Sequence, residues 1–154
     1  MIDVIITSYN EPKSTLRAVN AFLNQKIKEK LKVVVVDPFP EVEKFLKENI
    51  KDKRFIFFLD PGEGKNEALS MIFQEYHSND KNDFFILSDG DVYVSEDAVE
   101  EILKKFENPE IGFVSGKPVS IDSRGEKYGY WSHFVFEGIH RARKKISQKQ
   151  EFFQ

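Results

Sequence analysis

Short apolar runs that alternate with segments of helical periodicity are the feature of this sequence that most constrains its fold. The apolar runs cover residues 4–7, 32–36, 55–59, 84–87 and, last, 111–114. Apolar residues recur at helical spacing in residues 16–23, 68–76 and 99–106. Val33 to Val36 are apolar on both faces, which is typical of a strand covered by helices on both sides. This order predicts an α/β fold with a mostly parallel sheet and helices on both of its faces.

The pattern of the sequence changes near residue 120. The segment Asp122-Ser123-Arg124-Gly125 is typical of a turn, and apolar residues then recur at helical spacing from Trp131 to Ile146. We therefore divide the chain into a ligand-binding core, residues 1–119, and an amphipathic helical segment, residues 120–154. We expect the helical segment to begin a further half of a longer protein.

Composition excludes several classes of protein. The chain has 154 residues, a net charge of −3 and no Cys, so disulfides and thiolate metal sites are excluded and attraction to nucleic acid is not expected. No apolar run approaches the roughly 20 residues that a membrane span needs. Residues 1–4 lack the basic segment of a signal peptide. We expect a cytoplasmic location, with any membrane contact made through parts absent from this chain.

Polar and acidic residues gather after four successive apolar runs. The corresponding loops read Ser8-Tyr9-Asn10-Glu11, Asp37-Pro38, Asp60-Pro61-Gly62-Glu63-Gly64-Lys65 and Ser88-Asp89-Gly90-Asp91. In a parallel sheet all four loops lie at the carboxyl edge, where ligands of open α/β sheets bind. The sequence therefore predicts a binding site at this edge.

The Asp89-Gly90-Asp91 segment is the sharpest chemical signal in the sequence. Two carboxylates separated by one small residue can reach one hard cation, and Mg²⁺ and Mn²⁺ prefer oxygen ligands completed by water and substrate phosphates. Aspartates in loops also cap helices or stabilise turns. The position directly after a predicted strand favours the metal site.

Four motifs in order resemble glycosyltransferase family 2, whose members have the GT-A fold. The motifs are Val4-Ile5-Ile6-Thr7-Ser8-Tyr9-Asn10-Glu11, Val33-Val34-Val35-Val36-Asp37, Gly64-Lys65-Asn66-Glu67-Ala68-Leu69 and Ile86-Leu87-Ser88-Asp89-Gly90-Asp91. The resemblance extends from Val4 to about Pro118. It implies an inverting, metal-dependent transfer of sugar from a UDP- or GDP-linked donor to a sugar or lipid-linked acceptor.

The resemblance also implies roles for individual residues. Thr7, Tyr9 and Glu11 would line the nucleoside pocket, and Asp37 would accept a hydrogen bond from the base. Lys65 would lie near the nucleotide. Asp89 would face the ribose or the metal, and Asp91 would bind the Mn²⁺ or Mg²⁺ that bridges the two phosphates.

Two departures from the family pattern concern the base pocket and the catalytic base. Asp37 is followed by Pro38-Phe39-Pro40 instead of another acid or a Gly-Ser turn, and no Glu-Asp pair follows Gly116. An inverting transfer needs a carboxylate that deprotonates the acceptor hydroxyl. Glu137 is the candidate by default, although the pattern favours a charged residue on an amphipathic helix.

Three alternative functions remain open at this point. A receiver-type phosphoacceptor domain has the same fold class and matches at Asp60 and Lys117, but it requires an acidic pair where this chain has Thr7-Ser8. A nucleotide-binding module without turnover would explain the missing base. A nucleotidyltransferase would use similar acids to bind a nucleoside triphosphate.

Overall fold

The computed structural model describes residues 1–76, 78–80 and 82–150, without the side chains of 146–150. The strands are β1 (Ile2–Thr7), β2 (Leu31–Asp37), β3 (Phe55–Leu59) and β4 (Phe84–Asp89). The helices are α1 (Pro12–Leu23), α2 (Pro40–Asn49), α3 (Lys65–Tyr76), α4 (Ala98–Lys105) and α5 (Lys127–Gln150). The first four predicted strands and all predicted helices are confirmed.

The four strands form one parallel sheet in the order β3-β2-β1-β4. In the register of this sheet, Thr7 pairs with Val36 on one side and with Asp89 on the other, and Val36 pairs with Phe58. The carboxyl ends of the strands are therefore level with one another. This alignment brings the loops after all four strands to the same edge of the sheet.

Helices cover both faces of the sheet, as predicted. One face packs Val4, Ile6 and Val33 against α1, α2 and α4. The opposite face packs Ile5 and Val34 against α3. Each strand residue in these two clusters is almost fully excluded from water. Because both faces are apolar and covered, the sheet is a rigid support for the loops at its edge.

Proline residues fix where the first two helices begin. Pro12 and Pro40 lie at the first turns of α1 and α2. Proline suits this position because its fixed φ is helical and the first helical N–H groups have no partner within the helix. The loops after β1 and β2 are therefore short, and both remain at the carboxyl edge.

The prediction of a fifth strand at residues 111–114 is wrong. This run has neither helix nor strand, and Phe113 is 83% exposed. An apolar run forms a strand only where it pairs with another strand, and no such pairing is found for residues 111–114 among the described residues.

The chain divides into two compact units, Met1–Glu110 and Ile111–Gln154. The division lies earlier in the chain than the boundary at 119/120 that we expected from the sequence.

Within the second unit, α5 presents several aromatic side chains. Trp131 packs edge-on against Tyr130 and Phe134, with ring centroids 5.8 and 5.9 Å away, and all three remain more than half exposed. In the part of the chain that the structure describes, no helix is both long and apolar enough to span a membrane.

Candidate functional site

A cavity of about 330 Å³ lies at the carboxyl edge of the sheet, entirely within the first unit. Its walls are formed by Thr7, Ser8, Tyr9, Glu11, Val36, Pro38, Asp60, Gly62, Gly64, Lys65, Ala68, Asp89, Gly90 and Asp91. The ends of β1, β2 and β4 and the loop directly after β3 contribute residues to it. Six of the seven residues predicted from the sequence to bind nucleotide or metal line this cavity, and Asp37 does not.

Asp89 is held at the end of β4 by two neighbouring side chains. The ammonium group of Lys65, at the start of α3, forms an ion pair with Oδ1 of Asp89. The hydroxyl of Thr7 donates to the same oxygen at 3.0 Å. Both contacts stabilise the ionised carboxylate. They hold the pKa of Asp89 below its usual value of 3.8, and the hydrogen bond from Lys65 has the larger effect.

Gly90 allows the chain to turn tightly between the two aspartates. Its N–H donates to the carbonyl of Thr7 at 2.9 Å. A Cβ at this position would lie 2.9 Å from both Ser8 Cβ and Thr15 Oγ1, closer than real Cβ contacts allow. Only glycine fits without a shift of its neighbours, and the turn places Asp91 in an exposed position on the cavity wall.

The donor set fits a hard divalent cation that brings other ligands with it. Asp89 and Asp91 line the same cavity, and Asp89 is already paired with Lys65. Among the described residues, no group of three or more His, Asp or Glu side chains could hold a metal ion. Mg²⁺ is commonly held by one or two carboxylates together with water and substrate phosphates, so the two aspartates suffice only with a phosphate ligand.

Asp37 stabilises the loop after β1 from behind the cavity wall. The residue is fully buried, and its Oδ2 accepts hydrogen bonds from the Ser8 hydroxyl and from the Asn10 N–H at 3.1 Å. Its Oδ1 accepts the Phe39 N–H at 2.9 Å. Asn10 adopts a left-handed backbone with φ of 55°. The three donors occupy the carboxylate that the sequence led us to assign to the base.

Tyr9 and Glu11 lie on the loop that Asp37 supports. The Tyr9 ring is 71% exposed and packs edge-on against Phe39, with ring centroids 5.0 Å apart. Oε2 of Glu11 accepts a hydrogen bond from Ser14 at 3.0 Å. The exposed part of the Tyr9 ring is therefore accessible to a planar ligand.

Asp60 lines the cavity at the end of β3, and the sequence-based site did not include it. The residue is 8% exposed, and its Oδ1 accepts the Gly62 N–H at 2.8 Å. Gly62 and Gly64 have positive φ values of 78° and 104°, which glycine adopts without strain. The sequence feature that could have identified Asp60 is its position directly after an apolar run, a position that Asp37 and Asp89 share.

Glu137, the default candidate for the catalytic base, lies in the second unit. Its Oε1 accepts a hydrogen bond from Arg124 at 2.7 Å, and Arg141 is 3.6 Å from its Oε2. The hydrogen bond and charge of Arg124, followed by the charge of Arg141, lower the pKa of Glu137 below 4.5. Nearby, His133 Nε2 lies 2.9 Å from the carbonyl oxygen of Asp122. These are the contacts of a charged residue on a helix surface.

Comparisons with known proteins agree with this architecture. The fold is similar to crystal structures of TarS from S. aureus. One, of TarS residues 1–349 in complex with UDP-GlcNAc, gives a TM-score of 0.59 at 13% identity over 79% of this chain and 38% of that one. Another gives 0.56 at 15% identity over 81% of this chain and 24% of that one.

These structural similarities show the fold, and the chain spans well under half the length of either TarS chain. A comparison with curated protein sequences found no match. The model of the family described as glycosyl transferase family 2 matches residues 3–153, nearly the whole sequence. The chain therefore belongs to glycosyl transferase family 2.

Proposed function

We propose that this chain binds a nucleoside diphosphate sugar, UDP- or GDP-linked, as the donor-binding part of a glycosyltransferase. The observation that carries the proposal is the cavity at the carboxyl edge, with Asp89, Asp91 and Lys65 on its wall. Carboxylates and an ammonium group together suit a metal-bound diphosphate, because the metal and the lysine both neutralise phosphate oxygens. Family membership removes the receiver-type and nucleotidyltransferase alternatives.

The β4 end of the cavity is proposed to hold the diphosphate. Mn²⁺ or Mg²⁺ bound by Asp89 and Asp91 would stabilise the negative charge that develops on the departing diphosphate. Lys65 would then donate to phosphate oxygens instead of to Asp89, with Thr7 keeping the carboxylate oriented. We propose an inverting transfer on the basis of the family resemblance. In it the acceptor hydroxyl would attack the sugar from the side opposite the departing diphosphate.

The loop after β1 is proposed to hold the nucleoside. Tyr9 offers an exposed ring for stacking, and Glu11 lies on the same wall of the cavity. Asp37 contributes through the loop, because its carboxylate fixes the backbone at Asn10 and the side chain of Ser8. A loop fixed before the ligand arrives loses less conformational entropy on binding.

A second candidate function is nucleotide binding without efficient transfer by residues 1–154. The observation that favours it is that Glu137 is engaged by Arg124 and Arg141. A carboxylate whose pKa is lowered by two guanidinium groups is a weaker base for an acceptor hydroxyl. Donor binding does not need this group, because the proposed diphosphate and nucleoside contacts all come from the first unit.

A donor-cleavage assay tests the proposed function and separates the two candidates. Purified protein is incubated with UDP- and GDP-sugars and Mn²⁺, and release of the nucleoside diphosphate is followed with and without simple sugar acceptors. A glycosyltransferase releases UDP or GDP faster when an acceptor is present. A binding module leaves the rate of donor cleavage unchanged. Asp91→Asn serves as the matched variant, and we expect it to release no nucleoside diphosphate above background.

A further inference from the structure

One side of helix α5 exposes large apolar side chains to water. These side chains, each at least 42% exposed, are Tyr128, Tyr130, Trp131, Phe134, Val135 and Ile139. They recur at intervals of three or four residues, so they form one apolar face along the helix. A contiguous exposed face of this kind is typical of an interaction surface.

The opposite side of α5 is covered within its own unit. Phe136 and Glu137 border a cavity of about 70 Å³ together with Pro118 and Arg124, which precede the helix. Oε1 of Glu137 accepts a hydrogen bond from Arg124 at 2.7 Å. All four residues belong to the second unit. The apolar face is therefore the side of α5 that the described part of this unit leaves uncovered.

Basic residues accompany the apolar face. Helix α5 contains six Lys or Arg residues and one Glu, although the whole chain has a net charge of −3. Arg141 and Arg143 lie on opposite flanks of the apolar face, because a helix turns by about 100° per residue. Glu137 lies on the covered side and is paired with Arg124 and Arg141. For Arg143, Lys144 and Lys145, no ion pair is found among the described residues.

This combination of side chains favours a membrane surface as the partner. Tryptophan, tyrosine and aliphatic side chains between basic flanks are typical of a helix that lies in the plane of a membrane interface. The rings reach the boundary of the acyl chains, and the basic groups meet anionic headgroups. A second copy packed through the same face would offer the basic residues no acidic partner, because the one Glu of α5 is already paired.

We infer that the apolar face of α5 binds the surface of a membrane that contains anionic lipids. The sequence led us to expect membrane contact only through parts absent from this chain, whereas α5 would make the contact itself. The helix would lie along the surface, with Arg141 and Arg143 directed to headgroups on its two sides. The inference is independent of the proposed function, because every residue of the proposed nucleotide site belongs to the first unit.

Trp131 reports on this contact directly, because it is the one tryptophan of the sequence and lies on the apolar face. The 154-residue chain is titrated with vesicles of phosphatidylcholine alone and with vesicles that also contain phosphatidylglycerol. We expect the tryptophan emission to shift to shorter wavelength with the anionic vesicles, and lipids brominated in their acyl chains to quench it. Unshifted emission with both kinds of vesicle, or equal binding to both, would overturn the inference.

The apolar contribution is tested with the double variant Val135→Ser/Ile139→Ser, which leaves the aromatic residues in place. Sedimentation with anionic vesicles should show a partition coefficient at least about tenfold lower than that of the wild type, because the buried apolar area is reduced. The matched control is Phe113→Ser, which changes an 83% exposed apolar residue of the same unit outside α5. An equal loss in Phe113→Ser would contradict the assignment to α5.

The electrostatic contribution is tested with Arg143→Gln/Lys145→Gln. Binding to anionic vesicles should again fall at least about tenfold, and added salt should weaken the binding of the wild type in the same direction. The control is Lys51→Gln/Lys53→Gln, which removes the same charge from exposed positions in the first unit. Equal losses in the two double variants would show that net charge, and not α5, determines binding.

Analytical ultracentrifugation without vesicles separates the membrane from a second copy of the chain. A wild type that is monomeric and binds anionic vesicles supports the inference. A dimer that Val135→Ser/Ile139→Ser dissociates, together with no binding to vesicles, would assign the face to a second copy and overturn it. If circular dichroism shows that a variant has lost helix, quenching of Trp131 in the wild-type chain decides the question.

Discussion

The ammonium group of Lys65 forms an ion pair with the carboxylate of Asp89, which is also one of the two aspartates of the proposed metal site. The pair joins the start of α3 to the end of β4. Because the lysine already neutralises one of the two carboxylates, we expect the proposed site to bind a free cation weakly. A diphosphate would draw Lys65 away from Asp89 and supply further oxygen ligands, so metal and nucleotide should bind together.

Replacing Lys65 by Met should therefore change metal and nucleotide binding in opposite directions. Without the ammonium group Asp89 is free, so Mn²⁺ alone should bind Lys65→Met more tightly than the wild type. UDP or GDP should bind about tenfold more weakly, because a charge-assisted contact to phosphate is lost. Calorimetry with Mn²⁺ alone and with nucleotide measures both effects. The control is Lys53→Met, which changes an exposed lysine before β3. If Lys65→Met bound both Mn²⁺ and nucleotide more weakly, the proposed transfer of Lys65 from Asp89 to the phosphates would be contradicted.

The same ion pair predicts a pH dependence. The folded-state pKa of Asp89 lies below 3.8 because Lys65 and then Thr7 stabilise its ionised form. Its contribution to stability is therefore fully present above the unfolded value and is lost as the pH falls through the folded value. The contribution is small, since the side chain is 57% exposed. Titration of the carboxyl by NMR should place its midpoint below 3.8 and should move it upward in Lys65→Met; an unmoved midpoint would contradict the pairing.

Gly90→Ala should destabilise the first unit by about 1–3 kcal/mol, the usual cost of overpacking. The added methyl group would lie 2.9 Å from Ser8 Cβ and from Thr15 Oγ1, so the loop after β1 or helix α1 would have to move. Urea denaturation measures the loss. Gly112→Ala is the control, because its added methyl group meets nothing within 4 Å. Equal free energies of unfolding for the two variants would show that the turn at Gly90 accommodates a methyl group.

Asp37→Asn should lower the free energy of unfolding by about 1–3 kcal/mol. An amide can satisfy some of the donors from Ser8, Asn10 and Phe39, but its NH₂ group would face another N–H or O–H. Urea denaturation again provides the measurement. Asp91→Asn changes an exposed carboxylate and should leave stability as it is. A stable Asp37→Asn would mean that the three hydrogen bonds contribute little.

The order of strands and helices could be predicted from periodicity because the apolar pattern of a parallel sheet reports its burial directly. Val33 to Val36 are apolar on both faces since helices cover both sides. The run Ile111 to Val114 has the same apolar character but no strand to pair with among the described residues, and an apolar run does not reveal whether a partner exists. That strand was therefore predicted wrongly.

The position of the site could also be predicted, whereas the contacts within it could not. An aspartate directly after each of three apolar runs indicates one edge of the sheet, but not the direction in which each side chain points. Asn10 has a left-handed backbone and donates its N–H to the buried carboxylate of Asp37, whereas Asp60 lies on the cavity wall. The contact between Lys65 and Asp89 depends on how α3 packs against the sheet, and the spacing of residues along the sequence does not determine that packing.

Glu137→Gln should leave nucleotide affinity unchanged. Glu137 belongs to the second unit and contacts Arg124 and Arg141, whereas the residues proposed to bind nucleotide all belong to the first. Calorimetry with UDP or GDP and Mn²⁺ is the measurement. A loss of affinity of about tenfold or more would show that Glu137 takes part in donor binding, and the helix-surface interpretation would be wrong.

The measurement that tests the central claim most directly is calorimetric titration of wild-type protein and Asp91→Asn with UDP and GDP, each with and without Mn²⁺. We expect the wild type to bind one of the two nucleotides in the presence of Mn²⁺ and much more weakly without it, because Asp89 and Asp91 would hold the metal and the metal would neutralise phosphate oxygens. In Asp91→Asn the difference made by Mn²⁺ should largely disappear. Metal-dependent binding that is unchanged in Asp91→Asn, or no binding of either nucleotide, would contradict a metal-assisted nucleotide site at the end of β4.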